Sequence, residues 1–148
     1  MFGRKQDPNG PYAAVIPLFI KQLLNYDSPI INGDGNYSRD FTYIDNVLQM
    51  NELAMLTNNP NAVNTIYNTA CGDMTTLEQL VRLLKCSLAM YDPKIMEVEV
   101  LHGPNRVGDI PHSIASIEKA RNNLGFIPKF NVAEGIKESV SWYINNLE

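Results

Sequence analysis

The run Thr75-Thr76-Leu77-Glu78, followed by Leu80, Val81, Leu84 and Leu88, constrains the fold of this chain most, because it specifies a helix with a defined start and one apolar face. Thr75 with Glu78 has the spacing of a capping box, and the three-and-four recurrence of leucines makes a stripe that must be buried against another element. Asn131 with Glu134 opens a second helix of the same kind, lined by Val132, Ile136, Val140, Tyr143, Ile144 and Leu147. A third pattern runs from Tyr12 to Asn25 through Val15, Leu18, Phe19 and Leu23, and Pro17 is compatible with it only in the first turn. The segments between are short. Strands are expected at Pro29 to Asn32, within Ser38 to Ile44, at Thr65 to Thr69, and at Ile95 to Leu101, where Met96, Val98 and Val100 alternate with Glu97 and Glu99. Asp45 is placed to cap a helix reaching about Asn58, and Ser116 to Leu124 reads as a short helix ended by Gly125. The fold class is therefore α/β, a small mixed domain of short strands and helices. No internal repeat or low-complexity tract interrupts it.

At 148 residues the chain has the length of one domain, residues 1–148, and 45% of it is hydrophobic, enough for a real core. No apolar run approaches the roughly 20 residues of a membrane span, and no charged-then-apolar segment opens the chain, so a cytoplasmic protein without membrane contact is expected. The net charge is −4, with Lys and Arg scattered rather than clustered, which argues against a nucleic-acid partner. Cys71 and Cys86 lack metal-ligand spacing, as do His102 and His112 taken with them. No metal is expected, and both cysteines read as reduced packing residues.

An acidic chain that binds an anion must do so with local cations, and two arginines stand out. Arg39 follows the turn Gly33-Asp34-Gly35, and Arg106 begins Arg106-Val107-Gly108-Asp109. A guanidinium is planar, permanently charged and able to donate two parallel hydrogen bonds, so a pair converging from separate segments suits a diphosphate. The plainer alternative is two surface ion pairs, Arg39 with Asp40 and Arg106 with Asp109, each worth about 0–1 kcal/mol. Adjacent side chains on a strand leave opposite faces, which weakens the first of these.

Gly3-Arg4-Lys5-Gln6-Asp7-Pro8-Asn9-Gly10, Tyr12-Ala13-Ala14-Val15-Ile16-Pro17, Asn32-Gly33-Asp34-Gly35, Ser38-Arg39-Asp40-Phe41 and Arg106-Val107-Gly108-Asp109 occur in this order. In that order they resemble the extended short-chain dehydrogenase/reductases of the NAD-dependent epimerase/dehydratase family, most closely the UDP-N-acetylglucosamine 4-epimerases. The likeness runs from Phe2 to the final helix. Members also carry an N-terminal Rossmann domain with a Gly-rich nucleotide loop and a catalytic Tyr-x-x-x-Lys pair, and this sequence contains neither. The resemblance thus implies the C-terminal, UDP-sugar-binding domain, with no catalytic residue and no cofactor bound by this chain alone. NAD would belong to the intact enzyme and to a Rossmann domain encoded elsewhere.

The same resemblance implies roles for single residues. Arg39 and Arg106 would contact the pyrophosphate of a UDP-sugar. Asp109 would accept from the ribose hydroxyls, although a loop Asp can equally stabilise its own turn. Asn32 and the backbone of Ala14 and Val15 fall where the family holds uracil, while Asn before Gly-Asp-Gly is also a turn former. Gln6 matches one wall of the hexose pocket. Ser113, seven residues after Arg106, stands against the C2 substituent, where a small residue admits an N-acetyl group; alternatively it only leads into the helix at Ser116. The activities left open are a nucleotide-sugar 4-epimerase, a related dehydratase or decarboxylase, and a noncatalytic interaction module. Self-association through the helix after Asp45 is expected, since its apolar residues spread too widely for one buried stripe.

Overall fold

The computed structural model describes residues 1–9 and 14–147. Five helices and five short strands follow one another: α1 (Val15–Leu24), β1 (Ile30–Asn32), β2 (Ser38–Arg39), α2 (Ile44–Leu56), β3 (Thr75–Thr76), α3 (Leu77–Leu88), β4 (Leu101–Gly103), β5 (His112–Ser113), α4 (Glu118–Leu124) and α5 (Val132–Asn146). A 3-10 turn, Pro93–Glu97, lies between α3 and β4. The loop of residues 10–12 and the expected helix start at Tyr12 lie outside the described residues. Pro17 is the third residue of α1, inside the first turn, where its missing N–H disturbs no helical bond.

β1 pairs in parallel with β4, Ile30 opposite Leu101 and Asn32 opposite Gly103. β2 is the centre of a second sheet, antiparallel to β3 and parallel to β5, with Arg39 opposite both Thr75 and Ser113. Parallel partners need long crossovers, and α2 and α3 supply them. The connection β1 to β2 and the connection β4 to β5 therefore leave one parallel pair and enter another. Residues 33–37 and 104–111 run between the same two sheets.

The principal core is built by α1, α3 and α5. Phe19, Ile20 and Leu23 meet Leu80, Leu84 and Leu88, and Ile136, Val140 and Tyr143 close the third side. A second cluster joins Met50 of α2 to Ile117, Ala120, Leu124 and Phe126 around α4. Asn46 locks α2 to the approach of α5: wholly buried, its amide donates to the Phe130 carbonyl at 2.8 Å and accepts the Phe130 N–H at 3.0 Å. That reproduces a strand-like pair of bonds with one side chain.

Several expectations are corrected. The capping box of α3 is Thr76 with Gln79, at 3.1 and 2.9 Å, one residue later than Thr75 with Glu78, because β3 keeps the chain extended through Thr76 and the helix starts only at Leu77. The box of Asn131 and Glu134 forms as expected, at 3.0 and 2.8 Å. Asp45 does not cap α2: Tyr43 holds the cap position, and Asp45, in the first turn, pairs with Arg4 at 2.9 Å. The chain stays extended up to Tyr43 because Phe2 binds it on both sides, Phe2 N–H to Thr42 carbonyl at 2.9 Å and Ile44 N–H to Phe2 carbonyl at 2.8 Å.

Thr65 to Thr69 is not a strand. Lys119 takes the Ile66 carbonyl at 3.0 Å and Asn68 Nδ2 donates to the Ser116 carbonyl at 3.1 Å, so side-chain bonds replace a ladder. Ile95 to Leu101 is not one strand either. Ile95 and Val98, three apart, are the buried residues while Met96 is 49% exposed, which is the period of the 3-10 turn that Asp92 and Pro93 begin. Cys86 is exposed rather than packed, whereas Cys71 is half-buried. The N-terminal loop is not loose throughout, since Phe2 is in the principal core and Gly3 fits under Ile44 where a Cβ would clash at 2.5 Å.

Candidate functional site

The two connections between the sheets carry most of the residues singled out in the sequence. Asn32 ends β1 with its side chain exposed. The chain then turns at Gly33, whose φ of +77° suits glycine and whose N–H reaches the Gly103 carbonyl at 3.0 Å. Asp34 closes this turn by accepting Asn36 N–H at 3.0 Å and Asn36 Nδ2 at 2.8 Å, and those bonds hold its carboxyl below the usual carboxylate range. His102 Nδ1 lies 3.0 Å from the Gly33 carbonyl, tying the turn to β4.

Arg39 is where the connections meet. One terminal nitrogen donates to Asp109 Oδ1 at 2.6 Å, and the other to the carbonyls of Ser38 at 2.9 Å and Pro111 at 3.3 Å. The two paired side chains are 30% and 32% exposed, so the pair is half in water and open to a competing anion. Asp109 N–H bonds the Arg106 carbonyl at 3.2 Å across a turn in which Gly108 has φ +81°. Arg106 is thereby one turn from the Arg39 guanidinium. It is exposed and makes no ion pair among the described residues.

Neither of the sequence-adjacent ion pairs forms. Arg39 bonds Asp109, seventy residues away, and Asp40 instead accepts the N–H groups of Cys71 and Gly72. Ser113 is the register partner of Arg39, and both face an open cleft of about 440 Å³ lined also by Asp40, Thr42, Thr69 and Ala115. A wider groove of about 720 Å³ lies along α3 and the start of α5, but it contains none of the expected site residues. Charge and register, rather than volume, single out the cleft at Arg39.

The structure therefore brings together Arg39, Asp109 and Ser113, with Arg106 on the adjoining turn and Asn32 at the far end of the same pair of connections. It does not join the remaining three to them. Gln6 Oε1 accepts the Gly3 N–H at 3.2 Å, and the Gln6 carbonyl accepts Tyr143 Oη–H at 2.9 Å, so this loop closes on itself and on α5. Ala14 is the cap residue of α1 and Val15 its first residue. Among the described contacts none links Gln6, Ala14 or Val15 to Arg39, Asp109 or Ser113. In the sequence Asp40 figured only as an ion-pair partner for Arg39 and Tyr143 only as helix packing, because their actual partners are distant in the chain and leave no local pattern.

The model of the GDP-mannose 4,6 dehydratase family matches residues 3–139. Among solved structures, a UDP-glucose 4-epimerase of Thermotoga maritima with UDP-glucose is 37% identical, with a TM-score of 0.85. A UDP-N-acetylglucosamine 4-epimerase of Methanobrevibacter ruminantium, in complex with UDP-N-acetylmuramic acid, is 36% identical, with a TM-score of 0.84. Each likeness covers 99% of this chain and 44% of the other, so the chain spans less than half the length of these proteins. A UDP-glucose 4-epimerase homologue of Methanocaldococcus jannaschii is 35% identical over 99% of this chain and 44% of its own length. Other relatives include a UDP-N-acetyl-glucosaminuronate decarboxylase and a dTDP-glucose 4,6-dehydratase. None of the described helices is long and apolar enough to cross a membrane. With a family match over most of its length and the mixed α/β fold of their C-terminal part, this chain belongs to the GDP-mannose 4,6 dehydratase family of nucleotide-sugar epimerases and dehydratases.

Proposed function

We propose that this chain is the UDP-sugar-binding portion of an NAD-dependent nucleotide-sugar 4-epimerase, with the diphosphate held at Arg39 and Arg106. The observation that carries the reading is the meeting of Arg39 with Asp109 at 2.6 Å, while Arg39 and its register partner Ser113 line one cleft. A diphosphate entering there replaces one carboxylate oxygen on Arg39 with phosphoryl oxygens, and the released Asp109 becomes an acceptor for vicinal hydroxyls. Ser113 carries a small side chain with a donor, which leaves room for an acetamide and can bond it. Asn32, Ala14, Val15 and Gln6 are assigned to the base and hexose ends on family resemblance. The relatives that are a decarboxylase and a dehydratase support a second reading, in which the same grip serves another reaction on the sugar.

No dinucleotide is assigned to this chain in this reading. Among the described residues the glycines with positive φ are 33, 35, 72, 108 and 125, and none of them opens a helix: α1, α2, α3, α4 and α5 start behind Ala14, Tyr43, Thr76, Ile117 and Asn131. Hydride chemistry is assigned to NAD on a partner Rossmann domain. The part of this chain is to bind and orient the substrate.

Calorimetry of the purified chain with UDP and UDP-N-acetylglucosamine tests the reading, and saturable binding competed by free UDP is expected. With NAD added, the chain alone should give no epimerised product. Absence of any UDP binding would remove the clamp, while protein-dependent turnover would show that the catalytic groups reside in these 148 residues.

A further inference from the structure

Asp40 lies one residue beyond Arg39, and its carboxylate joins pieces of chain that no strand joins. Oδ1 accepts the Cys71 N–H at 2.9 Å and Oδ2 the Gly72 N–H at 2.9 Å. The backbone N–H of Asp40 donates to the Ser113 carbonyl at 3.1 Å. Two amides on one ionised carboxylate, one per oxygen, are charge-assisted bonds and stronger than neutral ones.

The loop that offers these amides is itself shaped for them. Gly72 holds φ +72°, and a Cβ there would stand 3.3 Å from Ile117 Cγ1, so the loop is pressed between Asp40 and the second cluster. Thr69 and Ala70, immediately before it, line the cleft together with Arg39 and Ser113. One residue thus bonds both the Cys71–Gly72 loop, through its carboxylate, and β5, through its backbone N–H, and Thr69, Ala70 and Ser113 of these two segments line the cleft with Arg39. Among the described residues no cation pairs with the Asp40 carboxylate, and Arg39 is turned to Asp109.

We propose that Asp40 is a positioning residue for this cleft, fixing the Thr69–Ala70 wall and β5 against Arg39 through Cys71, Gly72 and Ser113. The proposal rests on reading the cleft as the diphosphate site. A residue that only spliced the loop would change stability and leave Arg39, Ser113 and ligand selectivity as they were.

The test compares Asp40→Asn with the parent chain, both labelled with nitrogen-15 and held where circular dichroism shows them folded. The variant turns an NH2 group toward one of the two amides and removes the charge. At least a tenfold loss of exchange protection is expected at Cys71 and Gly72, with the Ser113 amide and the Arg39 Nε–H resonances shifting too. The amides of Ile136 and Val140 in the principal core should keep their protection. By calorimetry the ratio of UDP to UMP affinity should fall at least fivefold, because UMP lacks the phosphate that depends most on where Arg39 sits. Ser113 and Arg39 resonances unmoved while Cys71 and Gly72 shift, or an unchanged UDP to UMP ratio in a chain that binds UDP, would overturn the proposal. If the parent chain binds no UDP, the reading of the cleft fails, and the resonances alone decide the part of Asp40. Should Asp40→Asn not fold, Asp40→Glu, which keeps the charge on a longer arm, asks the same question: Ser113 moving with Cys71 and Gly72 supports the proposal, and Ser113 standing still while they move overturns it.

Discussion

Arg39 engages three acceptors, two of them carbonyls that no ligand can displace and one a carboxylate that a ligand can. In the proposed reading its aim is therefore set before a phosphate arrives, and its charge stays available. Arg39→Ala should weaken UDP binding by about 1.5–3 kcal/mol, the scale of hydrogen bonds to charged groups, and Arg106→Ala by a similar amount; calorimetry that finds both variants unchanged would exclude the clamp. Ser113→Tyr, in a reconstituted enzyme, should lower activity toward the N-acetylated sugar far more than toward UDP-glucose, and a parallel fall would make Ser113 structural only. The two thiols differ in surroundings rather than in chemistry. Burial, then the nearby Asp40 carboxylate, pushes the Cys71 thiol up from its ordinary range, while Cys86 is exposed. Cys71 should alkylate more slowly at neutral pH, as peptide mapping after limited iodoacetamide would show. The linkage has a definite sign: the protonated thiol is favoured by the fold, so its contribution is whole below the ordinary thiol range and is lost as pH rises through the raised value.

Helix α5 shows how one missing side chain sets the spacing of elements. Gly135, in its first turns, is buried, and a Cβ there would stand 2.7 Å from Tyr43 Cβ and 2.8 Å from Phe2 Cζ. The glycine lets α5 approach the Phe2 and Tyr43 bridge, whose rings lie 5.5 Å apart, and Tyr43 in turn meets Phe130 at 5.1 Å. Gly135→Ala gains up to about 1 kcal/mol in helix propensity and loses about 1–3 kcal/mol to overpacking. Net destabilisation of about 0–2 kcal/mol is expected in urea unfolding; a stabilised variant would mean that α5 shifts without cost. The same contact explains why Tyr143, further along α5, can reach the Gly3 and Gln6 carbonyls at 3.3 and 2.9 Å.

At the scale of the whole molecule, α2 divides its apolar residues. Met50 is buried in the second cluster, whereas Leu48, Met55 and Leu56 are 58%, 83% and 70% exposed. Apolar surface that is contiguous and uncovered drives association, and the family's members are more than twice as long as this chain. Dimers or larger species should form at micromolar concentration in sedimentation, and Met55→Glu should shift them toward monomer. Met50→Glu is a different experiment, since it places a charge in a core. A chain that stays monomeric at high concentration would show that this face tolerates water as it stands.

What the sequence determined by itself is what depends on neighbours three or four residues away. The stripes of α1, α3 and α5 name many of the helical residues of the principal core, though not Ile16 or Ile20, Asn131 and Glu134 start α5, and Gly125 ends α4 with φ +66°, because helix period and caps are local matters. Family motifs proposed eight site residues, of which the fold brings Arg39, Asp109 and Ser113 side by side and leaves Gln6, Ala14 and Val15 apart. Only the tertiary structure decided which charges pair, since Arg39 adjoins Asp40 in sequence but bonds Asp109 across two parallel connections. It also decided the strands. Thr65 to Thr69 has the composition of one and no ladder partner, while two-residue β2 becomes the centre of a sheet because β3 and β5 come to it. A strand is completed by backbone groups from elsewhere in the chain, and a helix carries its own; that difference separates what could be read in order from what had to fold first.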